Sequence, residues 1–521
     1  MMKTTMKQYS FASQLKSLAV VFGIALTFAS CAKEELAQNP TNKEGDNDKN
    51  LTTFVAGDEA KTRTSLNYNS GNFYWEAGDY IYVKDDYGVL RKSTNAPTSK
   101  VASFKYKVPG KFGASASYKV YYLGKNSNGS RVTISATQSQ SKPNNTEHLG
   151  IAGDYGTATA TKVSGKQQFK FELAHQPAYL VFQPYISNTI LKSCYLTKVE
   201  VTSDNDIAET YTVNKSTGAL TGSAGGKKIV LTTKGGSNPN GFPLSNRSAS
   251  VSTNGAYMVI KPGTHTLKVR YWVKDVATNV EGAITKTLPA TAYASNTYYD
   301  MTANLNVRNY DGDKYYMWDA RQNYWAGHEW NTANPWQPVL NDQYNGNYPK
   351  NNTDPRCYNG VFTFGADNKA THTPCKDLPN ANEMTWYAAK GDPRWDADEL
   401  WTTMGHLYKG GMWFKKKANI SGFDANQAVD GSDWRTNGKA DSWSVSQTLP
   451  DAADANNYFY LPALGFYSNG WLHDLGIVGY YWLSSSYPWG SGHACYLRFS
   501  SGDVYVLSNT RTYGLRVGGF E

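Results

Sequence analysis

Apolar and polar positions alternate with a period of two along most of this chain. Tyr80-Ile-Tyr-Val, Ser103 to Val108, Tyr118 to Leu123 and Val132 to Ala136 are short runs bounded by Gly, Asn, Ser and Pro clusters. That pattern predicts strands joined by turns, Glu76-Ala-Gly-Asp being one such turn. The pattern resumes at Thr197 to Thr202, Lys228 to Thr232, Tyr257 to Pro262 and His265 to Lys274. In the last, Leu267, Val269, Tyr271 and Val273 fall on one face, as in a half-buried antiparallel strand. No helical period interrupts this region, so an all-β, sandwich-like architecture is expected.

Helical signals are confined to the region after Leu378. Asn380 followed by Glu383 predicts a capping box, and Asp396 followed by Glu399 repeats the device beyond Pro393. Leu400, Met404 and Leu407 make an apolar stripe that predicts a second helix. Strands return from Gly410 to Lys417 and again from Tyr458. Between Asn457 and Gly518, short aromatic strands alternate with Gly, Ser and Asn turns, whereas Asn323 to Asn352 shows no clear period.

A chain of 521 residues is too long for one core and predicts two to four domains. Its 38 Tyr and 46 Gly suit β-rich, turn-rich domains. Thirteen of the 15 Trp lie between Trp318 and Trp489, so composition changes near Tyr310, with Asp311-Gly-Asp as the hinge. The formal charge of +9 is spread among acidic neighbours and gives no nucleic-acid footprint. With five Cys, hydrophobic cores and not a disulfide framework must hold the fold. Cys194, Cys357, Cys375 and Cys495 are expected free and buried, although Cys357 and Cys375 are close enough in sequence to bridge.

Residues 1–30 carry Lys3, Lys7 and Lys16, then the apolar run Leu18 to Ala29, which is too short to span a bilayer and suits a signal peptide. Ala29-Ser30-Cys31 resembles the lipobox of bacterial lipoproteins, with Phe28 where an aliphatic residue is usual. The resemblance implies lipidation of Cys31 and an anchor in the outer membrane. Ala32-Lys-Glu-Glu resembles the export signal of surface lipoproteins of the Bacteroidetes. Residues 31–52 read as a flexible tether.

Lys61-Thr-Arg-Thr-Ser-Leu followed by Trp75-Glu-Ala-Gly-Asp-Tyr-Ile resembles the opening of fimbrillin-like proteins, the pilus subunits of Bacteroidetes. Phe171-Glu-Leu-Ala-His-Gln-Pro-Ala-Tyr-Leu-Val-Phe resembles that family's entry to its second domain. The likeness implies two tandem transthyretin-like β-sandwich domains, residues 53–165 and 166–307. It also implies strand exchange with other pilus subunits after proteolysis at an Arg near the N-terminus, for which Arg63 is the candidate. His175 is expected to pack in a strand.

Leu378-Pro-Asn-Ala-Asn-Glu, Tyr458-Phe-Tyr-Leu-Pro-Ala-Leu-Gly-Phe, Gly479-Tyr-Tyr-Trp-Leu-Ser-Ser-Ser and Tyr513-Gly-Leu-Arg-Val resemble an α+β, C-type-lectin-like domain appended to some fimbrillin-like proteins, here residues 308–521. Most of its Trp are expected in the core. Trp471, Tyr487 and Trp489, set among Ser, Gly and Asn, are the candidate ligand contacts, with Asp474, His473 and His493 as polar neighbours. No calcium-lectin tripeptide, nucleophile elbow, phosphate loop or zinc motif is present, so no metal, cofactor or catalytic set is expected. A terminal folded domain that cannot donate a strand implies a tip adhesin binding host or bacterial surface ligands. The alternative is a monomeric glycan-binding lipoprotein of a nutrient-uptake system.

Overall fold

The computed structural model describes residues 5–10, 50–57, 65–68, 72–125, 127, 129–214, 217–358 and 369–521. Cys31 and Arg63 lie outside the described residues, as do most of the signal segment and the tether. The protein is mainly β and folds into two compact units. The first draws on Met1–Ser187, Tyr195–Val273 and Ala283–Leu305; the second draws on Asn188–Cys194, Lys274–Gly282 and Asn306–Glu521.

The first unit is built around a sheet whose strands run in the order Leu90–Lys92, Tyr82–Lys84, Ser117–Tyr122, Gly156–Lys162, Gln168–Phe171, Leu51–Ala56 and Phe104–Pro109. Leu51–Ala56 lies inside this sheet. It pairs parallel with Gln168–Phe171 and antiparallel with Phe104–Pro109, Phe54 standing opposite Phe169 on one side and Tyr106 on the other. Alternation decides which face it buries: Thr52, Phe54 and Ala56 are buried while Leu51, Thr53 and Val55 are partly exposed. Phe54 joins an aromatic core with Trp75, Tyr106, Phe112, Tyr118, Tyr122, Phe169 and Phe171.

A further sheet, all but a few strand-end residues of which belong to this unit, carries Thr137–Ser139, Lys228–Thr232, Cys194–Ser203, Gly263–Asp275 and Glu281–Tyr293 in that order. Leu267, Val269, Tyr271 and Val273 are all buried, so the one-face pattern in the sequence is the core face of the strand. Another sheet has Thr297–Asn304 beside Ala178–Tyr185, with Ala256–Ile260 beyond. On the other edge of Thr297–Asn304 the backbone of Thr5–Ser10 pairs antiparallel. His175 is buried, its Nδ1 2.9 Å from Asp154 Oδ1, as a packed strand residue.

In the second unit, helix Ala381–Lys390 begins with the expected box: Asn380 accepts from Glu383 N, and Glu383 accepts from Asn380 N. The second expected helix is not formed. Arg394–Thr403 and His406–Lys415 are antiparallel strands that turn at Met404 and Gly405, both at positive φ. Asp396 Oδ1 does accept from the amides of Asp398 and Glu399, the contact an N-cap makes, but here it holds an irregularity in the ladder between Asp396 and Leu400. The same local hydrogen bonds serve a bulge because Tyr458–Pro462 pairs along His406–Lys415 and extends the sheet.

The rest of the second unit is a sheet in the order Tyr315–Tyr316, Leu515–Arg516, Gly479–Ser486, His493–Phe499, Asp503–Thr510 and Asp441–Ser444, joined by the hairpin Leu464–Ser468 and Trp471–Leu475. Its core is rich in Trp and Tyr, including Trp325, Trp401, Trp434, Tyr324 and Tyr467. Of the thirteen Trp in this part of the chain only Trp471 and Trp489 are exposed. Large rings fill a domain with little helix and many short strands.

Candidate ligand-binding surface

The hairpin bearing Trp471 turns through Asn469 and Gly470, at φ 48° and 86°, which is the two-residue turn that matches strand twist. Gly470 is needed for closeness as well as for φ, since a Cβ there would lie 2.2 Å from the Asn345 carbonyl oxygen. Trp471 follows directly and stays 42% exposed. Beside it lies Tyr344, 53% exposed, with ring centroids 5.0 Å apart and planes inclined at 34°.

Tyr344 belongs to the segment without a period, and nothing local in the sequence singles it out. Its position comes from backbone pairing: Tyr344 and Trp471 form an antiparallel bridge, flanked by Asn345 N donating to Gly470 O and Leu472 N donating to Gln343 O. Side chains in such a rung approach closely. Two further bonds fix the loop, Asn341 Nδ2 donating to Leu475 O at 2.9 Å and Leu475 N to Asn341 Oδ1 at 2.8 Å. Gln343 Oε1 accepts from the amides of Val339 and Leu340.

Asp474 and His473 part company. The Asp474 carboxylate accepts from Tyr480 Oη at 2.8 Å, and its backbone carbonyl accepts from Ile477 and Val478, so Asp474 closes a turn. His473 points to Asp342, with Nδ1 3.9 Å from Oδ1, and the Asp342 side chain is 87% exposed.

Tyr487 and Trp489 form a second cluster. Trp489, 68% exposed, donates from Nε1 to Asn437 O at 3.1 Å. Both rings press on Gly438, where a Cβ would meet Trp489 Cδ1 at 2.5 Å and Tyr487 Cε2 at 2.9 Å. Tyr487 is partly buried, and its ring lies edge-on to His493 at 6.3 Å.

One buried cluster in the second unit has the residue types of nucleophilic chemistry. Ser193 Oγ donates to Asp275 Oδ1 at 2.5 Å, and His406 Nδ1 lies 3.1 Å from Asp275 Oδ2 and 3.3 Å from Ser193 Oγ. A proton relay needs the acid and the hydroxyl on opposite ring nitrogens. Here both face Nδ1, and the serine donates straight to the acid, so the arrangement serves structure. Burial raises the Asp275 pKa, but bonds from His406, Ser193 and the amides of Leu407 and Ala277 outweigh it and hold the carboxyl well below its ordinary value.

The four described cysteines are free and buried. Burial pushes the Cys375 and Cys495 thiols up to about 12, so they stay protonated and unreactive. Among the described residues no group of three or more His, Cys, Asp or Glu is arranged to hold a metal ion. No helix among them is long and apolar enough to cross a membrane.

No family model matches the chain, and no curated protein matches it in sequence. Solved structures that resemble it include a candidate cell-adhesion protein of Bacteroides ovatus, at TM-score 0.31 and 13% identity, covering 49% of this chain and 93% of that one. The fimbrial anchor protein of Porphyromonas gingivalis aligns at TM-score 0.23 and 13% identity, over 46% of this chain and 82% of its own. A fimbrial protein of Bacteroides ovatus aligns over 89% of this chain and 98% of its own, at TM-score 0.24 and 10% identity. At such scores, fold and function rest on the chain's own strands and side chains.

Proposed function

We propose that this protein is a surface lipoprotein and fimbrial subunit that assembles by accepting a strand from another subunit and presents its second unit as an adhesin. The supporting observation is the place of Leu51–Ala56. An interior strand, paired on both edges, comes from chain that precedes Arg63. Cleavage after Arg63 would free that segment together with the lipid on Cys31. It would leave two rows of unpaired backbone groups and the socket of Phe54, which a donor strand with apolar residues at alternate positions refills. Loss of the signal segment would likewise vacate the edge of Thr297–Asn304 that Thr5–Ser10 occupies.

The exposed Trp471 and Trp489 support an adhesive role for the second unit, and such a role is most useful at a fibre tip. N-terminal sequencing and mass measurement of the protein from the native cell surface test assembly. A start just after Arg63 is expected. Immuno-electron microscopy tests placement, and label along the whole shaft would refute the tip position.

A second reading has its own support, because with Leu51–Ala56 in place the sheet is already complete. An uncleaved protein beginning at diacylated Cys31 would then stand as a monomeric glycan-binding lipoprotein of a nutrient-uptake system.

A further inference from the structure

We infer that Tyr344 and Trp471, with Asp342 and His473 beside them, form a binding platform for a neutral pyranose sugar. The inference rests on reading the second unit as a ligand-binding domain.

Trp471 and His473, two residues apart in one strand, fall on the same side of it. Tyr344 faces Trp471 across an isolated bridge, and Asp342 Oδ1 lies 3.9 Å from His473 Nδ1. Aromatic faces carry partial negative charge and attract the weakly positive C–H bonds on the face of a sugar ring. Equatorial hydroxyls of a ring lying on Trp471 and Tyr344 then reach its edge, where an exposed carboxylate accepts and an imidazole donates or accepts. This combination of an apolar face and a few placed polar groups defines a saccharide subsite.

Other occupants fit less well. Exposed Asp342, Gln343 and Asn347 interrupt the apolar surface around the two rings. A stable protein partner needs roughly 800 Å² on each side. An anionic ligand would meet the Asp342 carboxylate, 87% exposed. The rings are also held before any ligand arrives, by the Asn469-Gly470 turn, the paired Asn341–Leu475 bonds and Tyr467 Oη donating to Pro338 O at 2.6 Å. Preorganised rings lose little entropy on binding.

The test is a glycan array of neutral hexose and N-acetylhexosamine oligosaccharides, probed with the full chain, followed by calorimetry on the best hit. Trp471→Ala and Tyr344→Ala should each weaken that hit about tenfold or more, equivalent to about 1.4 kcal/mol. Tyr344→Phe should bind as the parent does. Tyr87→Ala, which removes an exposed ring of the first unit, should leave binding unchanged, and affinity should be the same at low and high salt because no charge is neutralised. A thermal melt of each variant guards against misfolding, and Tyr344→Ala provides the same test from outside the hairpin.

Binding that survives both alanine variants but is lost in Trp489→Ala would overturn this platform and keep an adhesin that uses the other cluster. No glycan bound by a protein found in fibres would overturn the platform and leave the subunit reading standing. Glycan binding lost in Trp471→Ala, by a protein that starts at Cys31 and never enters fibres, would support the platform and refute the fibre reading. Self-association abolished by Trp471→Ala, or binding that salt removes, would assign the rings to a second copy or to a charged partner and overturn the proposal.

Discussion

If Leu51–Ala56 is the plug of an acceptor groove, Phe54 is its anchor, and Phe54→Ala should loosen the two strands beside it. Phe54 is fully buried, stacked on Phe169 at 5.1 Å and 15° and edge-on to Phe112 at 5.1 Å and 76°. Truncating a buried Phe costs about 3–5 kcal/mol through lost transfer energy and the cavity left behind. Two ring partners place this site in the middle of that range or above, at about 4 kcal/mol. Hydrogen–deuterium exchange of the intact chain, read by mass spectrometry, reports the opening directly. Amides of Phe104–Pro109 and Gln168–Phe171 that exchange through release of this strand should speed up by roughly two to three orders of magnitude. Val55→Ala, on the partly exposed face, should change the same amides less than about tenfold. Acceleration below about tenfold in Phe54→Ala, or equal effects of the two variants, would refute the idea that this strand closes the sheet through its buried face.

Gly465 sits at φ 57°, where a Cβ would lie 2.0 Å from the His473 carbonyl oxygen, so Gly465→Ala should cost about 2–4 kcal/mol and dismantle the hairpin holding Trp471, seen as protease sensitivity there and loss of any Trp471-dependent binding. Asn380→Ala removes a capping box and a bond from Asn380 Nδ2 to Ala425 O, and should lower the stability of the second unit by about 1–2 kcal/mol in denaturant titration. His148 is held by Tyr257 O at 2.9 Å, and burial, only partly offset by hydrogen bonds, lowers its pKa from 6.5 to about 4. The unfolded chain therefore takes up a proton that the folded ring refuses, and stability falls as pH drops from 6.5 to about 4 and levels off below. The full shift corresponds to about 3 kcal/mol, less what solvent reaching the ring screens, and His148→Gln should flatten that part of the pH profile in denaturant titrations at pH 7 and 4.5.

Some features of the fold were decided within a few residues of sequence. The strand pattern through Lys274, the capping box at Asn380 and the core face of Leu267, Val269, Tyr271 and Val273 depend on side-chain period and local hydrogen bonds, which a linear reading contains. The segment after Pro393 shows where that reading stops. Asp396 and Glu399 look the same before a helix and at a strand irregularity, and the choice was made by Tyr458–Pro462, a strand from a later part of the chain. Burial was legible where the setting differed: Trp482, in an aromatic strand, is at 0% exposure and Trp489, a few residues on among Ser and Gly, at 68%. Trp471 was legible as a ring in a polar loop, while Tyr344 was not, because its partner stands far away in sequence. Local bonds repeat along a chain and can be read from it; a bridge between distant segments exists only once each has somewhere to fold back to.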